Sequence, residues 1–264
     1  MLQNIRIVLI ETSHPGNIGA TARAMRTMGL NTLYLVNPLH FPDADATARA
    51  SGATDVLSNA CVVNQLEEAL ADCTLVIGTS ARIRHLSWPL LTPKQASTKL
   101  WEAAAQGAPV ALVFGREHSG LSNEELQRCH YHVQIPTDPQ FSSLNIAAAV
   151  QVLCYEIRLA YMLSELTDTF ISNAQENTVQ NTHEQAECLS RKVEIQSHDN
   201  AVTHEDLERF YTHLQQALEQ IEFLDPNNPR QLMSRLRRLY TRTQLDQVEL
   251  NILRGILTAV QKKL

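Results

Sequence analysis

The first 165 residues alternate short apolar runs with segments in which apolar positions recur every three or four residues. The runs Ile5–Ile10, Thr32–Val36, Ala60–Val63, Leu75–Gly78, Val110–Phe114 and His132–Ile135 are rich in β-branched side chains and predict strands. Between them, residues 18–28, 44–52, 65–71, 93–105, 122–128 and 143–163 carry helical spacing. Several strands are apolar at every position rather than at alternate ones, as expected when both faces of a sheet are covered. Regular alternation of this kind predicts an α/β fold, a parallel sheet with helices on both faces.

Beyond residue 165 the pattern lapses. Residues 166–202 are dominated by Asn, Gln, Thr, Ser, Glu and His, with too few large apolar side chains to offset the entropy of ordering, and predict a flexible linker. Helical spacing returns over 203–264. Thr203-His204-Glu205-Asp206 has the form of a helix start, and Leu207, Phe210, Tyr211, Leu214, Leu218 and Ile221 follow on one face. Asp225-Pro226-Asn227-Asn228-Pro229 predicts a turn, with Pro229 opening a second helix whose apolar stripe is Leu232, Leu236, Leu239 and Tyr240. A third helix, from about Gln244 to Lys263, carries Leu250, Leu253, Ile256, Leu257 and Val260. Three short helices form a marginal core, so this small all-α extension is expected to lean on another surface.

Composition narrows the class. Of 264 residues 44% are hydrophobic, yet no run approaches the roughly twenty apolar residues of a membrane span. The first ten residues lack a basic leader and a small-residue cleavage site, so they read as a strand and not as a signal peptide. The five cysteines, 61, 73, 129, 154 and 188, form no C-x-x-C pair, which predicts reduced, buried thiols in a cytoplasmic protein. Net charge is −6, which speaks against indiscriminate nucleic-acid binding. It is uneven, however: Arg230, Arg235, Arg237, Arg238 and Arg242 fall within thirteen residues near the C-terminus.

Three small-residue loops leave the carboxyl ends of predicted strands, where α/β sheets hold ligands. They are Thr79-Ser80-Ala81-Arg82, Phe114-Gly115-Arg116-Glu117-His118-Ser119-Gly120-Leu121, and Phe141-Ser142-Ser143-Leu144-Asn145. A fourth segment, His14-Pro15-Gly16-Asn17-Ile18-Gly19 with Arg23, opens the first helix. A dinucleotide site is the rival reading, but the three-glycine fingerprint is missing and no acidic residue closes the second strand. His130-Tyr131-His132 invites a metal reading; without a Cys or acidic partner at ligand spacing it is taken as structural, and no metal is expected.

Asn17-x-Gly19 with Arg23, Phe114-Gly115-x-Glu117-x-x-Gly120-Leu121, and Ser142-Ser143-Leu144-Asn145 opening a long helix resemble, in order, the three motifs of the SPOUT methyltransferases over residues 1–163. Asn251 to Leu257 and Leu207 to Tyr211 are also similar to the C-terminal extension of one bacterial branch, the tRNA ribose 2′-O-methyltransferases acting on cytidine or uridine at position 32 of the anticodon loop. The resemblance implies a trefoil knot at the C-terminal end of the α/β domain, a homodimer, and S-adenosylmethionine as cofactor. It implies cofactor contacts at Thr79, Ser80, Ala81, Gly115, Ile135, Ser142, Ser143 and Leu144, and a catalytic centre built on Arg23 with Asn17 and Glu117. Domain limits follow as 1–165 for the methyltransferase, 166–202 for the linker and 203–264 for the extension. tRNA is the expected partner, with Arg82, Arg84, Arg235, Arg237 and Arg238 as its candidate contacts. A different RNA target, or a noncatalytic nucleotide- or RNA-binding role on the same fold, is the alternative.

Overall fold

The computed structural model describes residues 1–80, 89–178 and 201–263, the stretch 167–178 by its backbone alone. Seven strands among the described residues form one parallel sheet: β1 (Ile5–Ile10), β2 (Thr32–Val36), β3 (Cys61–Val63), β4 (Leu75–Thr79), β5 (Leu90–Leu91), β6 (Val110–Phe114) and β7 (Tyr131–Val133). Their order is β3-β2-β1-β6-β4-β7-β5. The chain builds outward from β1 to β3, then crosses to the other side of β1, so the order reverses between β1 and β6. Crevices at such a reversal are the usual ligand positions of open α/β sheets.

The uniformly apolar strands have two faces to satisfy. Ile5, Ile7 and Leu9 of β1 and Leu112 and Phe114 of β6 point into a core with α1 (Pro15–Thr27), α5 (Pro93–Ala105) and α7 (Ile146–Thr178). Val8, Ile10, Ala111 and Val113 point the other way, onto Leu66 and Leu70 of α4 (Leu66–Leu70) and Leu126 of α6 (Asn123–Gln127). Two smaller helices, α2 (Ala44–Ala50) and α3 (Thr54–Ser58), pack against α1.

The sequence pattern located all strands but β5 and all helices of this region but α3, elements of two and five residues that are too short to show a period. It also ended α7 near residue 163, whereas the helix continues to Thr178, into the stretch read as linker. The segment Ile146–Leu166 of α7 has the length and mean hydropathy, 1.5, of a membrane span, more than the sequence reading allowed. Its Val150, Leu153, Cys154 and Ile157 are buried in the sheet's core. Cys73, Cys129 and Cys154 are buried thiols, each pushed up to about 12 chiefly by that burial. Cys61, on edge strand β3, is exposed, contrary to expectation.

Residues 204–261 hold α8 (His204–Gln220), α9 (Leu232–Thr243) and α10 (Gln247–Gln261) around Phe210, Tyr211, Leu214 and Leu250. The expected start at Thr203 is a capping box with Asp206. Pro229 does not open α9. Arg230 takes a left-handed φ of 48°, so the helix begins only at Leu232. This small core leans on the sheet domain, as its size requires: the His204 and Glu205 amides donate to Cys73 O (2.8 Å) and Ala71 O (3.1 Å) at the end of α4. Ser234 Oγ donates to Gln127 Oε1 at 3.0 Å.

The His130-Tyr131-His132 segment serves this packing. His130 Nδ1 accepts the Val76 amide at 3.0 Å and His132 Nε2 lies 3.0 Å from Leu126 O. Burial, and then the proximity of His204, lower His130 from 6.5 to about 4. His204 is lowered too, chiefly by burial, among Glu208, Arg128 and Arg237. The native state thus holds both imidazoles neutral, whereas the unfolded chain protonates them below pH 6.5. Their contribution is fully present above that pH and is lost as pH falls toward 4. Thermal unfolding followed against pH should show Tm falling through this window, and His130→Gln should make the fall shallower.

Candidate active site

The loops after β4, β6 and β7 and the turn after β1 enclose one cavity of about 460 Å³, within the range of small-molecule sites. Thr79, Ser80, Gly115, Ile135, Ser142, Ser143 and Leu144 line it, as do Asn17 and Glu117. Every expected contact that the structure describes is therefore brought together. Ala81, Arg82 and Arg84 lie outside the described residues. The loop after β4 is fixed by Thr79 Oγ1 donating to Val113 O (3.0 Å) and the Ser80 amide donating to Val133 O (3.0 Å).

The loop after β6 folds back on itself. Arg116 N–H donates to Gly120 O and Gly120 N–H to Arg116 O, at 3.3 and 2.9 Å, with Gly120 at φ +68°. This brings the loop's return onto Gly115, where a Cβ would stand 2.1 Å from Gly120 C and 2.2 Å from Leu121 N. Only glycine fits that position, which leaves bare backbone facing the cavity. Arg116 itself faces outward, forked onto Glu11 (2.7 and 2.8 Å) and reaching both oxygens of Glu125 (3.1 Å). It ties the end of β1 to the start of α6.

Glu117 is the hub. Its Oε2 accepts Ser13 N–H and Ser13 Oγ–H, each at 3.2 Å, and its Oε1 accepts His14 N–H at 3.2 Å and Asn17 Nδ2 at 3.1 Å. Asn17 Oδ1 then accepts Asn145 Nδ2 at 2.9 Å, while Asn145 Oδ1 accepts the Ala147 amide at 2.9 Å and so caps α7. One hydrogen-bonded chain thus joins the turn before α1, the loop after β6 and the start of α7. Burial works to raise the Glu117 carboxyl, but Asn17 and the backbone amides outweigh it and hold the group below its ordinary value. It is a fixed anion, engaged on both oxygens.

Arg23 is placed elsewhere. It is exposed on α1 and lines an open hollow with Ala20, Thr27, Arg49, Ser51, Ala147 and Gln151, none of which belongs to the cavity except that α1 and α7 border both. The C-terminal arginines also divide. Arg237 is engaged with Glu208 on both oxygens and stacks 4.4 Å over the Tyr211 ring. Arg235 is exposed and Arg238 half-buried on the same helix. Ser13, His14 and Asn145 were not singled out as site residues by the sequence reading, although each stands in or beside a quoted motif.

Small-residue loops over the carboxyl ends of a parallel sheet, braced by the Glu117–Asn17–Asn145 chain, belong here to a methyltransferase. The chain belongs to the SpoU methylase family, the model described as SpoU rRNA Methylase family matching residues 4–155. Residues 205–264 match the model described as tRNA methyltransferase TrmJ, C-terminal domain. Among full-length relatives, the tRNA (cytidine/uridine/adenosine-2′-O-)-methyltransferase TrmJ of Pseudomonas aeruginosa (strain UCBPP-PA14) is 53% identical over 262 residues, 99% of this chain and 95% of that one. The tRNA (cytidine/uridine-2′-O-)-methyltransferase TrmJ of Sodalis glossinidius (strain morsitans) is 51% identical, over 99% of this chain and 92% of its own. The crystal structure of TrmJ from Z. mobilis ZM4 superposes with a TM-score of 0.75 at 29% identity, covering 97% of this chain and 98% of that one.

The loop geometry separates two glycines. Gly115→Ala forces backbone apart and should cost on the order of 1–3 kcal/mol, seen as a Tm drop of roughly 2–10 °C. At Gly120 a Cβ meets nothing within 4 Å, so Gly120→Ala should cost less, through its positive φ alone. Equal losses in a melting experiment would refute the clash.

Proposed function

We propose that this protein transfers a methyl group from S-adenosylmethionine to the ribose 2′-oxygen of cytidine or uridine at position 32 of the tRNA anticodon loop. The carrying observation is the single cavity into which Thr79, Ser80, Gly115, Ile135, Ser142, Ser143 and Leu144 converge. The cofactor fits it: the glycine-bared backbone at 115 and the hydroxyls of Thr79, Ser80, Ser142 and Ser143 suit an adenosyl group's ring edge and ribose. When bound, the cofactor supplies an electrophilic sulfonium methyl. The tRNA specificity rests on the match over 205–264 and on the relatives' names. The knot of the SPOUT fold and a cytoplasmic location are part of the same reading.

Glu117 acts through position rather than as a base, since both its oxygens are occupied and it is held ionised. It sets the Asn17 amide and, through it, the start of α7. The proton of the 2′-hydroxyl leaves to an RNA phosphate oxygen or to water, and Arg23 neutralises the oxygen as it gains charge. Because Arg23 lies outside the cavity of its own chain, this role needs a homodimer in which Arg23 of a second copy reaches the cavity mouth. Apolar side chains left exposed beside that hollow on α7, Val152 (36%) and Tyr155 (49%), support such pairing.

Arg23→Ala should bind cofactor normally yet turn over about a hundredfold more slowly. Co-expressed with a Gly115→Val chain, it should regain activity that neither variant shows alone, because one composite site is then intact. Failure of the mixture to recover activity would place Arg23 in the site of its own chain. For tRNA binding, Arg235→Ala and Arg238→Ala should each lower the slope of log K against log salt by about 1. Arg237→Ala should instead lower Tm, since Glu208 and Tyr211 lose their partner.

A further inference from the structure

Helix α10 has two apolar faces, and only one is covered. Leu250, Leu253 and Leu257 pack with Phe210, Tyr211 and Leu214. Val248, Ile252, Ile256 and Val260 recur every fourth residue and are 55, 58, 54 and 36% exposed. With Gly255 and Ala259, both exposed, they form a single stripe some four turns long. An unbroken apolar stripe on a surface helix is a contact surface rather than scatter.

Gly255 strengthens that reading. Its φ is not among the positive ones and a Cβ there would meet nothing within 4 Å, so neither backbone nor packing in this chain calls for glycine. Inside a helix it costs roughly 0.5–1 kcal/mol relative to alanine. Its effect is felt only by something arriving from outside, which it lets come close at the middle of the stripe.

The charges say what arrives. Asp246 and Glu249 stand at the amino end of α10, and Lys262 and Lys263 at its carboxyl end. At 100° per residue Glu249 and Lys263 border the exposed stripe, while Arg254 falls on the far side. A stripe that is acidic at one end, basic at the other and bare in the middle is complementary to itself when reversed. We propose that this face pairs antiparallel with the same face of a second copy of the chain, about a two-fold axis passing near Gly255. In that register Glu249 meets Lys263 of the second copy, Ile252 meets the second copy's Val260, and Ile256 lies on the axis beside Gly255; the symmetry makes every contact off the axis twice. The helix dipoles also oppose favourably. One helix pair falls short of the ~800 Å² per partner of a standard interface. It acts as the second contact within one dimer, where tethering raises the local concentration of the two helices. The inference rests on the homodimer proposed above and not on the methyl-transfer step itself.

The test uses the full chain with Cys61→Ser and Cys188→Ser as background. Ile256→Cys, on the axis, should oxidise to a covalent dimer on a non-reducing gel. Thr258→Cys, also exposed but away from the stripe, should stay monomeric on the gel. Lys263→Glu should slow the Ile256→Cys cross-link roughly threefold, and adding Glu249→Lys should restore it. Equal cross-linking at 256 and 258, or none at 256 while light scattering still reports a dimer, would overturn the proposal. A four-chain mass for the cross-linked species would overturn its placement within a single dimer.

Discussion

The carboxylate of Glu117 holds the site together. Its partners come from residues a hundred or more positions away along the chain, Ser13, His14 and Asn17, and the last of these passes the contact on to Asn145. None of the loops concerned has a core of its own. What gives them fixed positions is an anion whose two oxygens are both engaged, so any shift of one loop leaves donors on the others unpaired, a costly state in a partly closed cavity. Arg116 does the same on the outer side of the loop, between Glu11 and Glu125. Neighbouring residues of one loop thus carry opposite charges in opposite directions, and Gly115 just before them leaves the backbone bare toward the cavity.

Much of this was legible in the sequence. A fully apolar strand between two helical segments leaves few options, and β1, β2 and β6 stand where the pattern put them. The cavity residues were found because small and polar side chains clustered where strands ended. What could not be read were pairings between distant side chains. Nothing local distinguishes Arg237 from Arg235 and Arg238, yet Glu208 and the Tyr211 ring, on another helix, take its guanidinium. The length of α7 was missed because polar composition was weighed as linker, although helices of that composition form when continued from an anchored start. The offset of Arg23 from the cavity, by contrast, was available from spacing. Six residues along a helix carry it roughly 9 Å on and to a different side from Asn17.

The C-terminal helices show how a weak core is made sufficient. Five fully or nearly buried apolar residues would hold α8, α9 and α10 together only loosely. The seam adds backbone: two amides at the start of α8, otherwise without partners as at any helix start, find the carbonyls that the end of α4 leaves open. Each helix completes the other, and two neutral imidazoles fill the space between. The unit therefore borrows order from the sheet domain instead of generating it.

The position of β6 has a consequence for how the protein comes into being. It lies between β1 and β4, both of which precede it in the chain, and so it is the strand that joins β4 to the β1 side of the sheet. Until it does, Gly115 and Glu117 have no place and the turn after β1 has nothing to hold. During synthesis the cavity cannot exist in any partial chain that stops short of Ala149, however well the earlier strands have formed. Contacts spanning a hundred residues are also the slow ones to make. Any ligand of the cavity is accordingly recognised by the finished sheet alone, and its binding reports that the late strand has arrived.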